Sequence, residues 1–172
     1  VTGSAQISFP ERVIGSGTRK GAKVKVETPT HIVGVLDFAA GAVGNLITSF
    51  DVWAHQLPRI EIYGTDGSLS VPDPNTYGGP VKLWKPETKA WEDVPLLPLR
   101  SENSRSLGIA DMAYALRSGR THRASGALAY HVLDVMQTIH DASHEGRHMI
   151  LESTCERPAA MPLGLPLSEL DN

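Results

Sequence analysis

The stretch Pro29-Thr30-His31-Ile32-Val33-Gly34-Val35-Leu36-Asp37-Phe38-Ala39-Ala40-Gly41-Ala42-Val43-Gly44-Asn45-Leu46-Ile47-Thr48-Ser49-Phe50-Asp51-Val52-Trp53 decides the fold class. Ile32, Gly34, Leu36 and Phe38 alternate with His31, Val33, Val35 and Asp37, which is the period of a strand. Ala40-Gly41 signals a turn. Residues 43–53 then run on as a second strand rich in β-branched and aromatic residues. Both faces of this pair are partly apolar: Ile32, Leu36 and Phe38 mark one, Val33 and Val35 the other. An antiparallel sheet with two such faces needs cover on both sides.

Working outward, Lys23-Val24-Lys25-Val26-Glu27 also alternates and reads as a strand. Residues 1–21 are rich in Gly, Ser and Pro and read as an extended entry segment, with strand character around Ala5–Phe9. On the other side, Arg59–Tyr63 alternates, Gly64-Thr65-Asp66-Gly67 follows, and Ser68–Val71 resumes. An Asp-Gly between alternating runs is a strong hairpin signal. Val81–Lys85 and Trp91–Val94 are two further short strands, separated by Pro86.

After residue 104 the period changes. Ile109, Met112, Ala113 and Leu116 follow helical spacing, with Ser104 or Ser106 as candidate caps and Gly119 past the end. A longer helix is predicted from about Ser125 to Glu145, with Leu128, Val132, Val135, Met136 and Ile139 as its apolar stripe and Gly146 as its stop. Met149–Leu151 is a candidate last strand, and the tail with Pro158, Pro162 and Pro166 excludes regular helix. Strands first and helices second is the order of an α+β fold. The expectation is an open, largely antiparallel sheet of about six strands with helices packed on one face. The other face is available for oligomerisation. Residues 1–156 are expected to form a single domain and 157–172 a Pro-rich tail.

Composition narrows the function. The 172 residues are 41% hydrophobic and 20% charged, with a net charge of −3. That is the profile of a globular protein and a poor match to phosphate-backbone binding, so nucleic acid is not an expected partner. Apolar runs are too short to span a membrane. One cysteine, Cys155, excludes an internal disulfide framework and a Cys-rich zinc site; it reads as a small buried hydrophobe. The chain begins at Val1 without a charged-then-apolar leader, which leads us to expect a cytoplasmic fragment of a longer polypeptide.

Several motifs match in letters and fail in context. Gly15-Ser16-Gly17-Thr18-Arg19-Lys20-Gly21 resembles a dinucleotide fingerprint, but a strand pattern follows where the pyrophosphate needs a helix N-terminus. His144-Glu145-Gly146-Arg147-His148 spells H-E-x-x-H, with His140 one turn earlier. Gly146 interrupts the continuous helix that a zinc protease requires. A zinc hydrolase using His144, Glu145 and His148 is therefore the weakest of the functions weighed. Asp51 and His55 are spaced for a helical turn, but on a strand about 13 Å separates them. Arg117, Arg120 and Arg123 read as charge complementing a helix C-terminus.

Together these stretches resemble a known family. Residues 29–38, Gly41–Gly44, Ser49–Trp53 and Ile60–Gly67 are similar to the C-terminal domain of the Gfo/Idh/MocA oxidoreductases. So is the run Ala124–Val135 followed by Ser143 and Gly146-Arg147. The similarity covers about residues 20–160. It implies a parent with an N-terminal Rossmann domain binding NAD or NADP, and a second domain that covers the substrate and builds the oligomer. The implied reaction is hydride transfer on a sugar, cyclitol or related polyol.

The departures matter equally. The family's catalytic lysine lies in a Glu-Lys-Pro motif, whereas here Trp84 precedes Lys85-Pro86, and the position is wrong. Asp51 and His55 come too late to be the family's Asp-x-x-x-His pair. No catalytic, cofactor-binding or metal-ligating residue is assigned, and the chain alone is expected to bind no cofactor and turn over nothing. The candidate substrate contacts are Trp53, His55, Gln56, Asn103 and Arg105, because a polyol site needs convergent polar groups and a stacking ring. The candidate oligomer face is Val33, Val35, Val43, Asn45 and Ile47. The alternative function is a non-catalytic carbohydrate-binding or assembly module.

Overall fold

The computed structural model describes residues 1–95 and 105–161. Asn103, Ser104 and the tail residues beyond Met161, with Pro162 and Pro166 among them, lie outside the described residues. The chain divides into two compact units: residues 1–55 with 126–156, and residues 56–125 with 157–172.

The first unit is built on a three-stranded antiparallel sheet. Its strands are β1 (Thr2–Gln6), β4 (His31–Asp37) and β5 (Val43–Ser49), in the order β1-β4-β5. A separate two-stranded ribbon, β2 (Glu11–Val13) with β3 (Lys23–Lys25), is inserted between β1 and β4. Phe38 and Ala42 close the β4–β5 turn through a 2.9 Å backbone bond, and Gly41 takes φ 93°, the left-handed conformation that favours glycine.

Register fixes the faces. Gly3 lies opposite Gly34, and Gly34 opposite Leu46; Ser4 pairs Val33, and Val33 pairs Ile47. Helix α2 (Gly126–Glu145) packs on β1 and covers the Gly3–Gly34 side. Thr138, Ile139 and Ala142 are its buried residues, and Ile139 is almost fully enclosed. The expected stripe is thus corrected in part. Val132 and Met136 are about half exposed, 48% and 49%, because full burial on α2 is confined to Thr138, Ile139 and Ala142, where Ile139 meets the two glycines. Gly146 ends α2 at φ 64°. Residues 149–151 form no strand. Met149 instead exchanges two backbone bonds with Val1, at 2.6 and 2.8 Å.

The second unit carries a four-stranded antiparallel meander: β6 (Ile60–Tyr63), β7 (Ser68–Val71), β8 (Lys82–Trp84) and β9 (Trp91–Asp93). The Gly64–Gly67 turn is closed by a 2.9 Å backbone bond. Helix α1 (Leu107–Ser118) follows and ends at Gly119, φ 75°. Ser106 stands at its N-cap but makes no side-chain capping bond. The buried residues of α1 are Asp111 and Ala115, while Ile109 and Leu116 of the apolar stripe are exposed. An ionic cluster described below draws the Asp111 side inward.

The fold is α+β with open antiparallel sheets, as the sequence predicts. The strands number nine among the described residues and divide into sheets of three, two and four, where the sequence suggested about six.

Candidate functional site

The strand β5 ends because Asp51 turns back: its N–H donates to Ser49 Oγ at 3.0 Å. The Asp51 side chain is only 6% exposed. It accepts from Thr30 Oγ1 at 2.6 Å and forms an ion pair with Arg12. Arg12 also donates to the Phe50 carbonyl at 3.1 Å. The Thr30 hydroxyl, then Ser8 and the Arg12 guanidinium, hold the Asp51 carboxyl below its ordinary range against the opposing effect of desolvation. Asp51 is therefore committed to β2 and the start of β4, not to His55.

From this anchor the chain emerges as Val52-Trp53-Ala54-His55-Gln56. Trp53 is 98% exposed, and His55 and Gln56 are exposed as well. Trp53 is thus no core residue. The sequence placed these three together on a break between strands, and that is where they lie. Arg105 is exposed just before α1; it donates to Asn75 Oδ1 at 2.6 Å and lies 5.7 Å from the Tyr77 ring centroid. Asn103 is outside the described residues. Arg12, Thr30 and Asp51 meet only in the fold. They lie 18 or more residues apart in sequence, and no spacing rule joins them.

All five residues of the candidate oligomer face share one side of the β1-β4-β5 sheet, the side opposite α2. The pairs Val33–Ile47, Val35–Asn45 and Asp37–Val43 set this directly. Val43 and Ile47 are 64% and 52% exposed; Val33 and Val35 are half-buried. His31 and Ser49 lie in the same register row and meet at 2.9 Å between Nδ1 and Oγ.

Two further polar clusters are structural. Asp111 accepts from Arg120 at 2.8 Å, from the Arg123 guanidinium at 2.5 Å and from the Arg123 backbone N–H at 2.8 Å. Arg123 also donates to the Ala159 and Ala160 carbonyls, at 2.9 and 3.1 Å. Burial raises the Asp111 pKa, but the Arg123 amide and the two guanidinium groups outweigh it and the net shift is downward. Asp134 on α2 accepts from the Ser153 hydroxyl at 2.5 Å and the Ser153 N–H at 3.1 Å, which lower its pKa. His131 Nδ1 meets the same hydroxyl at 2.8 Å. That hydroxyl sits between imidazole and carboxylate, so the order is not that of a nucleophilic triad.

Gly146 separates His144, on α2, from His148, whose Nε2 lies 2.9 Å from Asp37; Arg147 pairs Glu145 at 2.6 Å. The H-E-x-x-H letters therefore do not form one helical turn. Gly15–Gly21 does not fit a dinucleotide either. It joins β2 to β3 in a hairpin, with Gly17 and Gly21 at φ 76° and 87°, and no helix N-terminus follows it. Lys85 is exposed directly after β8 and lines a shallow concavity with the Gly64–Gly67 turn. No helix among the described residues is long and apolar enough to cross a membrane.

Residues 4–70 match the family model described as the GFO/IDH/MocA C-terminal domain. No curated protein matches the chain. Among solved structures, levoglucosan dehydrogenase in complex with NADH and L-sorbose superposes with TM-score 0.65 at 17% identity, covering 85% of this chain and 43% of its own. An oxidoreductase domain protein from Kribbella flavida gives 0.63 at 22% identity, with 85% and 44% covered. An oxidoreductase from Agrobacterium radiobacter, in complex with NAD+, L-tartaric acid and magnesium, gives 0.58 at 15%, with 85% and 41% covered. The chain spans less than half the length of each. Residues 4–70 thus match the GFO/IDH/MocA C-terminal domain model, and the described residues share the fold of part of these oxidoreductases.

Proposed function

We propose that this chain is the substrate-covering and oligomerising part of an NAD(P)-dependent oxidoreductase that acts by hydride transfer on a sugar, cyclitol or related polyol. The match of residues 4–70 to the family model carries this reading, supported by the fold shared with NADH- and NAD+-bound oxidoreductases. Within it, residues 1–156 act as one substrate and oligomerisation domain and 157–172 as a tail.

The resemblance to the family implies that nicotinamide, which would supply the hydride chemistry when bound, is held by an N-terminal Rossmann domain; the glycine-rich loop of this chain is a hairpin connection. The chain's own contribution is to cover and orient the substrate. Trp53 offers a flat apolar face for a pyranose or cyclitol ring, and His55 and Gln56 offer hydrogen-bonding groups beside it. Arg105 and Asn103 are further candidate contacts for the same class of substrate. The bare side of the β1-β4-β5 sheet binds a second subunit: Val33, Val35, Val43 and Ile47 form an apolar centre, and Asn45, His31 and Ser49 its polar margin.

The parent protein, assayed for NAD(P)H formation against a panel of aldoses, cyclitols and polyols, should oxidise at least one. Trp53→Ala and His55→Ala should raise KM for that substrate. No turnover across the panel with either nicotinamide contradicts the reading.

A further inference from the structure

We propose that Arg12 and Asp51 form a positioning latch that fixes how the Val52–His55 segment leaves the sheet. The latch builds on the reading of that segment as part of the substrate site, and it carries no chemistry of its own. Arg12 belongs to the β2–β3 ribbon, which has only two strands and, as an isolated hairpin, little stability of its own. One nitrogen of its guanidinium bonds both the Phe50 carbonyl and the Asp51 carboxylate. Thr30, at the entry to β4, donates to the other carboxylate oxygen at 2.6 Å, and its carbonyl accepts from the Phe50 N–H at 2.8 Å. Side chains and backbone from three parts of the unit therefore converge on two consecutive residues. Phe9 stacks at 5.9 Å from the Arg12 guanidinium, and Arg12 Nε is buried without a partner among the described residues.

Burying that nitrogen costs energy, and the bonds to Phe50 and Asp51 are what offset it. Two residues further on, Trp53 is almost completely exposed. A ring so exposed has no packing to hold the segment in place, so where the segment leaves the sheet is set by the bonds at Phe50 and Asp51. The ribbon, distant in sequence from residues 50–55, thereby becomes part of the device that presents the ring.

Limited proteolysis with chymotrypsin tests the latch, with cleavage sites read by mass spectrometry. Arg12→Met should accelerate cleavage after Trp53 about tenfold relative to cleavage after Tyr130, because cutting follows the population of the locally opened segment. Arg12→Lys should restore much of the protection, and Arg12→Met with Asp51→Leu should fall between, since no charge is then left unpaired. Unchanged cleavage after Trp53 in a folded Arg12→Met protein overturns the latch. So does acceleration equal at Trp53 and Tyr130, which reports global loosening. In the parent enzyme, Arg12→Met should raise KM for the polyol more than it lowers kcat. Accelerated cleavage with unchanged KM upholds the latch and overturns the substrate-site reading instead.

Discussion

Ile139 of α2 rests on Gly34 of β4: its Cδ1 lies 3.0 Å from where a β-carbon on Gly34 would stand. Gly3, opposite Gly34 in the next strand, receives the same side chain, and a β-carbon there would also meet the Ile139 carbonyl at 3.1 Å. Two facing glycines thus form the floor on which the helix approaches the sheet.

Ile139→Ala should destabilise the first unit by about 2–5 kcal/mol through lost burial and the cavity left behind. Gly34→Ala should cost about 1–3 kcal/mol by overpacking. Denaturant melts check both. A Gly34→Ala protein as stable as the parent chain would show that the helix is free to lift.

Gly67 makes a similar demand in the second unit. A β-carbon there would collide with the Trp84 carbonyl oxygen on β8. Gly67→Ala should cost about 1–3 kcal/mol and loosen the β7–β8 ladder. Amide exchange at Ser68–Ser70 should then speed up, while exchange in β4 stays unchanged.

Asp51, Asp111 and Asp134 all have pKa values lowered from the ordinary 3.8. A carboxylate depressed in the folded state contributes stability that is present in full above the unfolded pKa. That contribution disappears as pH falls through the folded pKa. Stability should therefore be level above about pH 5 and fall steeply below pH 4. Asp111→Asn should flatten part of the acid limb. Urea melts across pH check this; a limb unchanged in all three Asp→Asn variants would contradict it.

Calorimetry with NAD(H) should show no saturable binding to this chain, since Gly15–Gly21 links two strands and opens no helix. Micromolar binding would require a cofactor cradle of a different kind.

The sheet was legible because its period is local. Alternation through Ile32–Asp37 and Val43–Ser49 predicted both strands and both faces, and the register places all five interface candidates on one side. The helix faces were less legible. Apolar spacing chose Ile139, which is buried, but also Ile109, Leu116, Val132 and Met136, which are exposed, because burial follows partners distant in sequence: the glycine pair under Ile139, and Arg120 and Arg123 around Asp111. The Arg12–Asp51 pair was hidden for the same reason, since 39 residues separate the two groups. Trp53, His55 and Gln56 were readable as a break between strands because polar and aromatic residues interrupt strand-like sequence there.

We propose that the β1-β4-β5 sheet has two partners, α2 on one side and a second subunit on the other. Light scattering on the wild-type chain and on Val35→Arg tests it most directly. We predict an oligomer that Val35→Arg reduces to monomer, with circular dichroism unchanged. A wild-type monomer, or an oligomer whose mass Val35→Arg leaves intact, would contradict the claim.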